Sequence, residues 1–459
     1  MIALFCVTAS RKIYLILHLI AGGSLLAVAG AFALTQTRAL QGSAVQIGFV
    51  AAGLVLMLIG LLPARPAYRT LSQGLCLSIL TGLFLLGALE TVCRLVRFDF
   101  VGEERAFRRL PLFYRWPVVP TGEVYFRRSG PEVWTGRPLK EICSILTVSP
   151  NVYQSEPQMT SRYDNLGFRN EDGFTDWDIV VAGDSMTEMG TLPYNELFTT
   201  IMSRSMNMRV LNRGTSNTGP LNQLSFLRDY GLAPSTKRAM IVFYEGNDLV
   251  DLNREYNDLM KYQKTGLRPY REFSRETSLL RTIYHTVSRR SKLNVKQRVR
   301  DLLVGQPPQG WITGYFKSKD GEVPITLRDT PPSREQIGSE GMQQLEYFFQ
   351  QYQNFAQQHG IEIWSAFMPC KERVVSGMVR FVDDAPEEEK QWRPTDLPNV
   401  IAELASGHGV RFVDLTPALV RDTQTTQKLL FNSIYDCHLN AAGSQVVAAE
   451  MVRVLSISN

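Results

Sequence analysis

Long apolar runs fill the first fifth of the chain, whereas the remainder alternates short apolar runs with amphipathic stretches. The first part predicts about three transmembrane helices, at residues 13–37, 39–64 and 70–93, within a membrane region of residues 1–93. The first two contain no charged residue, and the third contains only Glu90. Each is long enough to cross a hydrocarbon core of about 30 Å, which takes about 20 residues of helix.

Basic residues at the ends of these helices predict their orientation. They divide unevenly, with Arg11, Lys12, Arg65 and Arg69 on one side and Arg38 on the other. The positive-inside rule then places the N-terminus inside and the rest of the chain outside, in the periplasm if the cell is bacterial. Arginines between residues 94 and 109 favour the opposite side. A cleaved signal peptide is an alternative for the first helix, with a small-residue site at 29–31, and it leaves the orientation unchanged.

Predicted strands and helices alternate along the chain after a juxtamembrane lead-in of residues 94–176. The predicted buried strands are 178–182, 209–212, 240–244, 361–367 and 410–414. Amphipathic patterns between them predict helices, for example at 343–358 and 441–455. This alternation predicts an α/β fold, a three-layer α/β/α sandwich around a parallel sheet. The predicted catalytic domain covers residues 177–459, with an insertion at about 250–335.

Residues that can carry chemistry follow the predicted strands. Ser185 follows the first strand, Gly214 the second and Asn247 the third, while Asp436 and His438 precede the last helix. Sites in parallel sheets form at the carboxyl ends of the strands. We therefore expect these five residues to meet at one edge of the sheet.

The four segments resemble those of the SGNH (GDSL-type) hydrolase superfamily, which is named for its Ser, Gly, Asn and His. They occur in the family's order over about residues 177–455, and the resemblance implies a flavodoxin-like SGNH fold and ester chemistry. The family usually carries Asp three residues before His, whereas Asp436 is two before His438. The shorter spacing looks like the alginate-type polysaccharide O-acetylation branch, several members of which transfer acyl groups.

Ester chemistry needs a nucleophile, a base, a group that orients the base, and donors for the oxyanion. Ser185 is the predicted nucleophile, since it lies at a strand-to-helix turn. His438 is the predicted base, because the other four histidines lie in the membrane region, the insertion or helix ends. Asp436 would orient it. The N–H groups of Ser185 and Gly214 and the carboxamide of Asn247 are the predicted oxyanion donors.

Composition narrows the partners and cofactors. Only six of the 93 charged residues fall in residues 1–93, and the net charge is +5, so nucleic acid is not an expected partner. No Cys-x-x-Cys pair, zinc-spaced His cluster or Gly-rich phosphate loop occurs, so we expect no metal or cofactor. A basic run at 289–300 either faces solvent or contacts anionic lipid or an acidic polysaccharide. A disulfide between Cys370 and Cys437 stays open.

The sequence therefore predicts a membrane-anchored, extracytoplasmic serine esterase that acts on O-acyl esters, with acetyl the expected group, of an envelope or secreted polysaccharide. A polysaccharide O-acyltransferase is the first alternative, because both share every named residue until the second half-reaction. A separate membrane protein could supply its acyl donor, as in the alginate-type systems that this branch resembles. The second alternative is a non-catalytic glycan-binding or assembly subunit.

Overall fold

The computed structural model describes residues 66–95, 119–121, 124–145, 155–171, 175–266 and 312–457, together with isolated positions at 16, 18–20, 54, 153 and 173. The chain divides into two compact units. One comprises residues 1–98 with 277–286, and the other comprises residues 99–276 with 287–459. The lead-in from residue 99 onward thus belongs to the same unit as the predicted catalytic domain, apart from residues 277–286.

The first unit contains one described helix, α1 (Pro66–Leu95), which covers the predicted third transmembrane helix at 70–93. The predicted helices at 13–37 and 39–64 fall almost wholly outside the described residues, as does the basic run at 289–300. Within the described part of the chain, no helix has both the length and the hydropathy needed to cross a membrane.

The lead-in forms two small antiparallel ladders, one between β1 and β2 and the other between β3 and β4. Its elements are β1 (Val119–Thr121), β2 (Tyr125–Arg127), β3 (Glu132–Gly136), α2 (Pro138–Ile145) and β4 (Met159–Tyr163). A buried ion pair ties it to the rest of its unit, since the Arg128 guanidinium donates to both carboxylate oxygens of Glu188, at 3.0 and 3.2 Å. The Tyr163 hydroxyl donates to the same carboxylate at 2.5 Å.

The second unit continues with alternating strands and helices. Its first half consists of β5 (Ile179–Gly183), α3 (Ser185–Glu188), α4 (Phe198–Met206), β6 (Val210–Gly214), α5 (Pro220–Tyr230), β7 (Arg238–Tyr244) and α6 (Asp248–Thr265). Its second half consists of β8 (Gly314–Ser318), β9 (Gly321–Ile325), α7 (Arg334–His359), β10 (Glu362–Met368), α8 (Lys371–Val374), β11 (Val379–Phe381), α9 (Glu387–Gln391), α10 (Leu397–Gly407), β12 (Arg411–Asp414), α11 (Thr416–Thr426) and α12 (Ala441–Ile457).

The central sheet has five parallel strands in the order β6-β5-β7-β10-β12. Numbered along the chain this is 2-1-3-4-5, an order with its topological switch point between the first and third strands, β5 and β7. The predicted parallel α/β architecture is confirmed. Each predicted strand is present within two residues of its predicted ends.

Alternating side chains of the strands feed two cores, one on each face of the sheet. Val181 packs on one face with residues of α4, α11 and α12, whereas Val180 packs on the other with residues of α5, α6, α7 and α10. Because both faces are covered, β5 and β7 are buried along their whole length. Helix α6 belongs to this outer layer, so the first part of the predicted insertion, up to Thr265, is core structure.

A second, smaller sheet is antiparallel, and its strands lie side by side in the order β11-β8-β9. It is joined to the segment that precedes α12. The Thr326 N–H donates to the Ser433 carbonyl at 3.1 Å, and the Thr326 hydroxyl accepts from the Tyr435 N–H at 3.1 Å. This contact places the small sheet against the loop that carries Asp436 and His438.

Candidate active site

Ser185 is the first residue of α3, directly after the carboxyl end of β5 at the switch point of the sheet. It is the one residue between 179 and 192 that is not buried. The preceding Asp184 caps the helix, because its carboxylate accepts from the Met186 N–H at 2.8 Å. The Ser185 hydroxyl lies 3.4 Å from the other carboxylate oxygen of Asp184. The local fold therefore exposes this hydroxyl at the edge of the sheet.

Asp436 and His438 form a buried hydrogen-bonded pair. His438 Nδ1 lies 2.5 Å from the Asp436 carboxylate, which also accepts from the His438 N–H at 2.6 Å. Burial raises the pKa of Asp436, but the interactions with His438 and Lys371 outweigh it and hold that pKa below its usual range. Burial lowers the pKa of His438, the carboxylate of Asp436 raises it, and the net shift is upward.

A buried lysine holds the loop that carries this pair. The Lys371 ammonium donates to the carbonyls of Thr326, Ser433 and Asp436, at 3.1, 3.1 and 2.7 Å. Its side chain is fully buried, and burial lowers its pKa. The loop also contains Tyr435 at a φ of 70°, an uncommon conformation for a bulky residue. The three hydrogen bonds from Lys371 to carbonyls around this segment thus offset the free-energy cost of its strained backbone.

Asn247 is the N-cap residue of α6, three residues after the end of β7 and on the other side of the switch point. Its amide nitrogen donates to the Asp251 carboxylate at 2.8 Å, and its side chain opposes the rise in the pKa of Asp184. The neighbouring Asp248 carboxylate accepts from the Tyr244 N–H at 2.9 Å. The carboxylates of Asp184 and Asp248 therefore hold backbone N–H groups, whereas one N–H of the predicted oxyanion donor Asn247 is bonded to Asp251.

These carboxyl groups share a buried environment beside Ser185. Burial raises the pKa of Asp184 to about 7, and burial together with the charge of Asp184 raises the pKa of Asp248 well above its usual range. The carboxylate of Asp184 in turn helps to raise the pKa of His438. The segments of Ser185, Asn247 and His438 therefore converge on Asp184.

Gly214 ends β6, at the strand end where the sequence predicts it, and lies against α3. A Cβ atom on it would stand 2.3 Å from the Glu188 nitrogen and 2.5 Å from the Thr187 carbonyl carbon, so only glycine lets β6 approach α3. Its N–H donates to the Asn212 side chain at 2.8 Å. Gly214 thus serves packing, and its N–H is occupied.

Asn217 is a candidate donor that the sequence did not reveal. It is the one residue between 210 and 223 that is not buried, and its φ of 64° is left-handed. The two preceding N–H groups are used, by the carbonyl of Gly183 and the carboxylate of Glu188. A short polar residue that tolerates this conformation, one turn after a strand end, is the signal that could have identified it.

The cysteines of the site are reduced. Cys370 and Cys437 are both free thiols, so the structure contains no disulfide between them. In the described part of the chain, Asp436, Cys437 and His438 are the one trio of metal-ligating side chains whose donor atoms lie within 4.8 Å of one another. Burial raises the pKa of Cys437 to about 12.

Comparisons with known proteins find solved structures at very low sequence identity and low TM-score. No family model matches the chain, and no curated protein matches it. Similar solved structures include an acetyl xylan esterase (11% identity, TM-score 0.32, 61% of this chain and 99% of that one). A carbohydrate acetylesterase from Sinorhizobium meliloti has 11% identity and a TM-score of 0.31 over 62% and 100% of the two chains. Phospholipase A1 from Streptomyces albidoflavus has 13% identity and a TM-score of 0.33 over 62% and 99%.

The role of Lys371 predicts the effect of removing its ammonium. Lys371→Met leaves three carbonyls without their donor, and each unsatisfied buried group costs about 1–3 kcal/mol. We expect the free energy of unfolding of the full chain to fall by about 3 kcal/mol or more, and amide hydrogen exchange at residues 433–438 to accelerate. Lys319→Met is the matched control, because Lys319 is exposed in the turn between β8 and β9. Unchanged exchange at 433–438 would show that the loop does not depend on Lys371.

Proposed function

We propose that the chain is a membrane-anchored, extracytoplasmic serine esterase that removes acyl groups, with acetyl the expected one, from an envelope or secreted polysaccharide. The observation that carries the proposal is the Asp436–His438 pair, bonded at 2.5 Å and in electrostatic contact with Asp184, the neighbour of the accessible Ser185. The resemblance of the four segments to SGNH hydrolases supports the same reaction class.

The orientation of the imidazole assigns the proton transfers. Because Nδ1 faces the Asp436 carboxylate, it carries the proton in the neutral ring, and Nε2 is left as the base. Nε2 takes the proton of the Ser185 hydroxyl as its oxygen attacks the ester carbonyl. The same proton then passes to the departing sugar oxygen, and the acyl group stays on Ser185. Water, activated by His438, releases the acid and restores the serine.

The oxyanion needs donors that face the carbonyl oxygen. The N–H of Ser185 lies at the N-terminus of α3, where no helical acceptor exists for it. The backbone N–H of Asn217 is the second donor, in place of the N–H of Gly214. The carboxamide of Asn247 gives one N–H to Asp251 at 2.8 Å, and its second N–H is the third oxyanion donor. One of the donors expected from the sequence is thus exchanged, and the other two are kept.

Two alternatives keep the same fold. A polysaccharide O-acyltransferase would use every residue named above and differ only in the second half-reaction, where a sugar hydroxyl replaces water. Its acyl donor could come from a separate membrane protein. A non-catalytic glycan-binding or assembly subunit would leave the Asp436–His438 pair without a function. A buried, charge-bearing pair is costly to maintain, which favours the enzymatic alternatives.

The acyl intermediate can be detected by intact-mass spectrometry. We expect the full-length protein in detergent to gain one acetyl mass from an activated acetyl ester, and Ser185→Ala to gain none. Ser203→Ala, a partly exposed serine at the end of α4, should behave as wild type. Faster loss of the adduct to an added glycan than to water would decide for the transferase. Labelling of Ser185→Ala equal to wild type would contradict the assigned nucleophile.

The direction of the His438 pKa shift predicts the pH dependence. His438 must be neutral to act as the base, and its pKa lies above the ordinary 6.5. Activity should therefore rise with pH along a limb centred above 6.5. Asp436→Asn removes a major cause of the upward shift, so the limb should move to lower pH while kcat falls by roughly 10⁴-fold. A limb that keeps its position in Asp436→Asn would show that another group controls it.

The membrane topology needs a separate test. Three apolar windows and the basic residues at their ends support an N-terminus inside and a catalytic unit outside. We expect a periplasm-dependent reporter fused after Asn459 to be active in a bacterial host. A cytoplasm-dependent reporter at the same position should be inactive. The opposite pair of results would overturn the proposed location without affecting the proposed chemistry.

A further inference from the structure

A cleft of about 330 Å³ lies between the small sheet and helices α8 and α9. Its walls are polar and apolar in about equal parts, and Trp392 contributes aromatic surface. Three carboxyl groups face this space, those of Asp329, Glu372 and Glu389. A cleft in which a few polar groups converge beside an aromatic ring can hold a small polar ligand.

Two of the carboxylate oxygens in the cleft have no donor. Glu372 is 8% exposed, and its Oε1 accepts from the N–H groups of Arg328 and Asp329 at 2.6 and 3.0 Å. Its Oε2 is buried without a hydrogen-bond partner, and so is Oε2 of Glu389. A buried acceptor left unpaired is costly, more so when it carries charge. Either a proton on the carboxyl group or a donor from outside the protein must therefore satisfy these oxygens.

The cations near these carboxylates already have other partners. The Lys390 ammonium donates to the Asp383 carbonyl at 2.7 Å and to Glu387 at 2.9 Å. The Arg393 guanidinium donates to the carbonyls of Lys390 and Trp392, at 2.9 and 2.7 Å. Lys371, next to Glu372, donates to three backbone carbonyls elsewhere. These bonds use two of the three N–H groups of Lys390 and only the Nη1 group of Arg393, but no bond from these cations reaches Oε2 of Glu372 or of Glu389. A ligand that carries positive charge can supply the missing donors.

The spread of the carboxylates decides between a metal ion and an organic cation. Within the residues that the structure describes, Asp329, Glu372 and Glu389 do not form a trio with donor atoms inside 4.8 Å, as one ion would require. An ammonium group on a carbon frame can reach separated oxygens with several N–H bonds, and its frame can lie on an indole ring. We propose that this cleft binds a compact organic ammonium, of the kind an amino sugar carries.

The titration of the two glutamates agrees with this ligand. Burial and the charge of Asp329 raise the pKa of Glu372 to about 7, and burial and the charge of Glu372 raise that of Glu389 to about 7. Near neutral pH the empty cleft therefore holds protons. A bound cation stabilises the ionised carboxylates, so its entry should release protons to the solvent.

The cleft adjoins the catalytic edge. Asp329 accepts from the hydroxyl of Tyr244, the last residue of β7, at 2.9 Å. Arg328, beside it, donates to the Cys437 sulfur at 3.5 Å, one residue from His438. An ammonium-bearing sugar in the cleft thus lies next to the site where the proposed acyl transfer occurs. This connection to the substrate rests on the proposed function, whereas binding itself does not.

Calorimetric titration of the full-length protein in detergent tests the proposal directly. The probes are glucosamine, its neutral analogue N-acetylglucosamine, and calcium chloride. We expect glucosamine to bind at least tenfold more tightly than the neutral analogue and to release protons, as judged by repeating the titration in buffers of different ionisation enthalpy. Glu389→Gln keeps the shape but removes a charge, and it should weaken glucosamine binding about tenfold or more. Glu388→Gln, exposed on the same helix, is the matched control.

Several results would overturn the proposal. Equal binding of both sugars would mean a neutral sugar subsite, and calcium that displaces glucosamine would mean a metal site. Absence of glucosamine binding, or equal loss of binding in Glu388→Gln and Glu389→Gln, would also reject it. Ser185→Ala should bind glucosamine as wild type does. Binding by this variant without acyl adduct formation by wild type would separate a correct cleft from a wrong proposed function.

Discussion

The buried ammonium of Lys371 connects the small sheet to the loop that carries Asp436 and His438. Lys371 belongs to the turn after β10, yet its three hydrogen bonds reach the end of the small sheet at Thr326 and the loop of Ser433 and Asp436. Asp436 and His438 both belong to this loop, so the hydrogen bond between them depends on the conformation of the loop. The cost of burying this charge is offset because the same contacts fix the loop and place a positive charge near the Asp436 carboxylate.

The sheet and the position of Ser185 were predictable because short-range sequence signals specify them. Runs such as Ile179–Val181 are apolar on both faces, and that pattern is typical of a strand covered by helices on each side. The position of Ser185 follows from the strand end before it. The proposed roles of Gly214 and Asn247 were less secure, because a residue type at a strand end does not reveal which acceptor its N–H groups meet. In the structure these acceptors are Asn212 and Asp251.

Contacts between distant parts of the chain could not be predicted. Lys371 precedes Asp436 by 65 residues, and nothing local indicates that its ammonium reaches that carbonyl. Glu188 likewise looks like an ordinary helix residue, although it accepts from Arg128 and Tyr163 of the lead-in. Long-range polar contacts of this kind depend on the complete fold. A single sequence shows the residues but not their partners.

The cleft bears on the choice between hydrolase and transferase. Water reaches an open acyl-serine without help, so a transferase must hold its acceptor beside Ser185 and keep water out. A cleft that adjoins the catalytic edge, with carboxylates that can bind a charged ligand, can position one sugar of a chain by a group that takes no part in the reaction. Binding energy at Glu389 would then orient a hydroxyl at the acyl group. A hydrolase gains from the same cleft only while it binds the acylated substrate, so occupancy by product would slow its turnover. The two activities therefore place opposite demands on the affinity of this cleft, whereas they place the same demand on Ser185, Asp436 and His438.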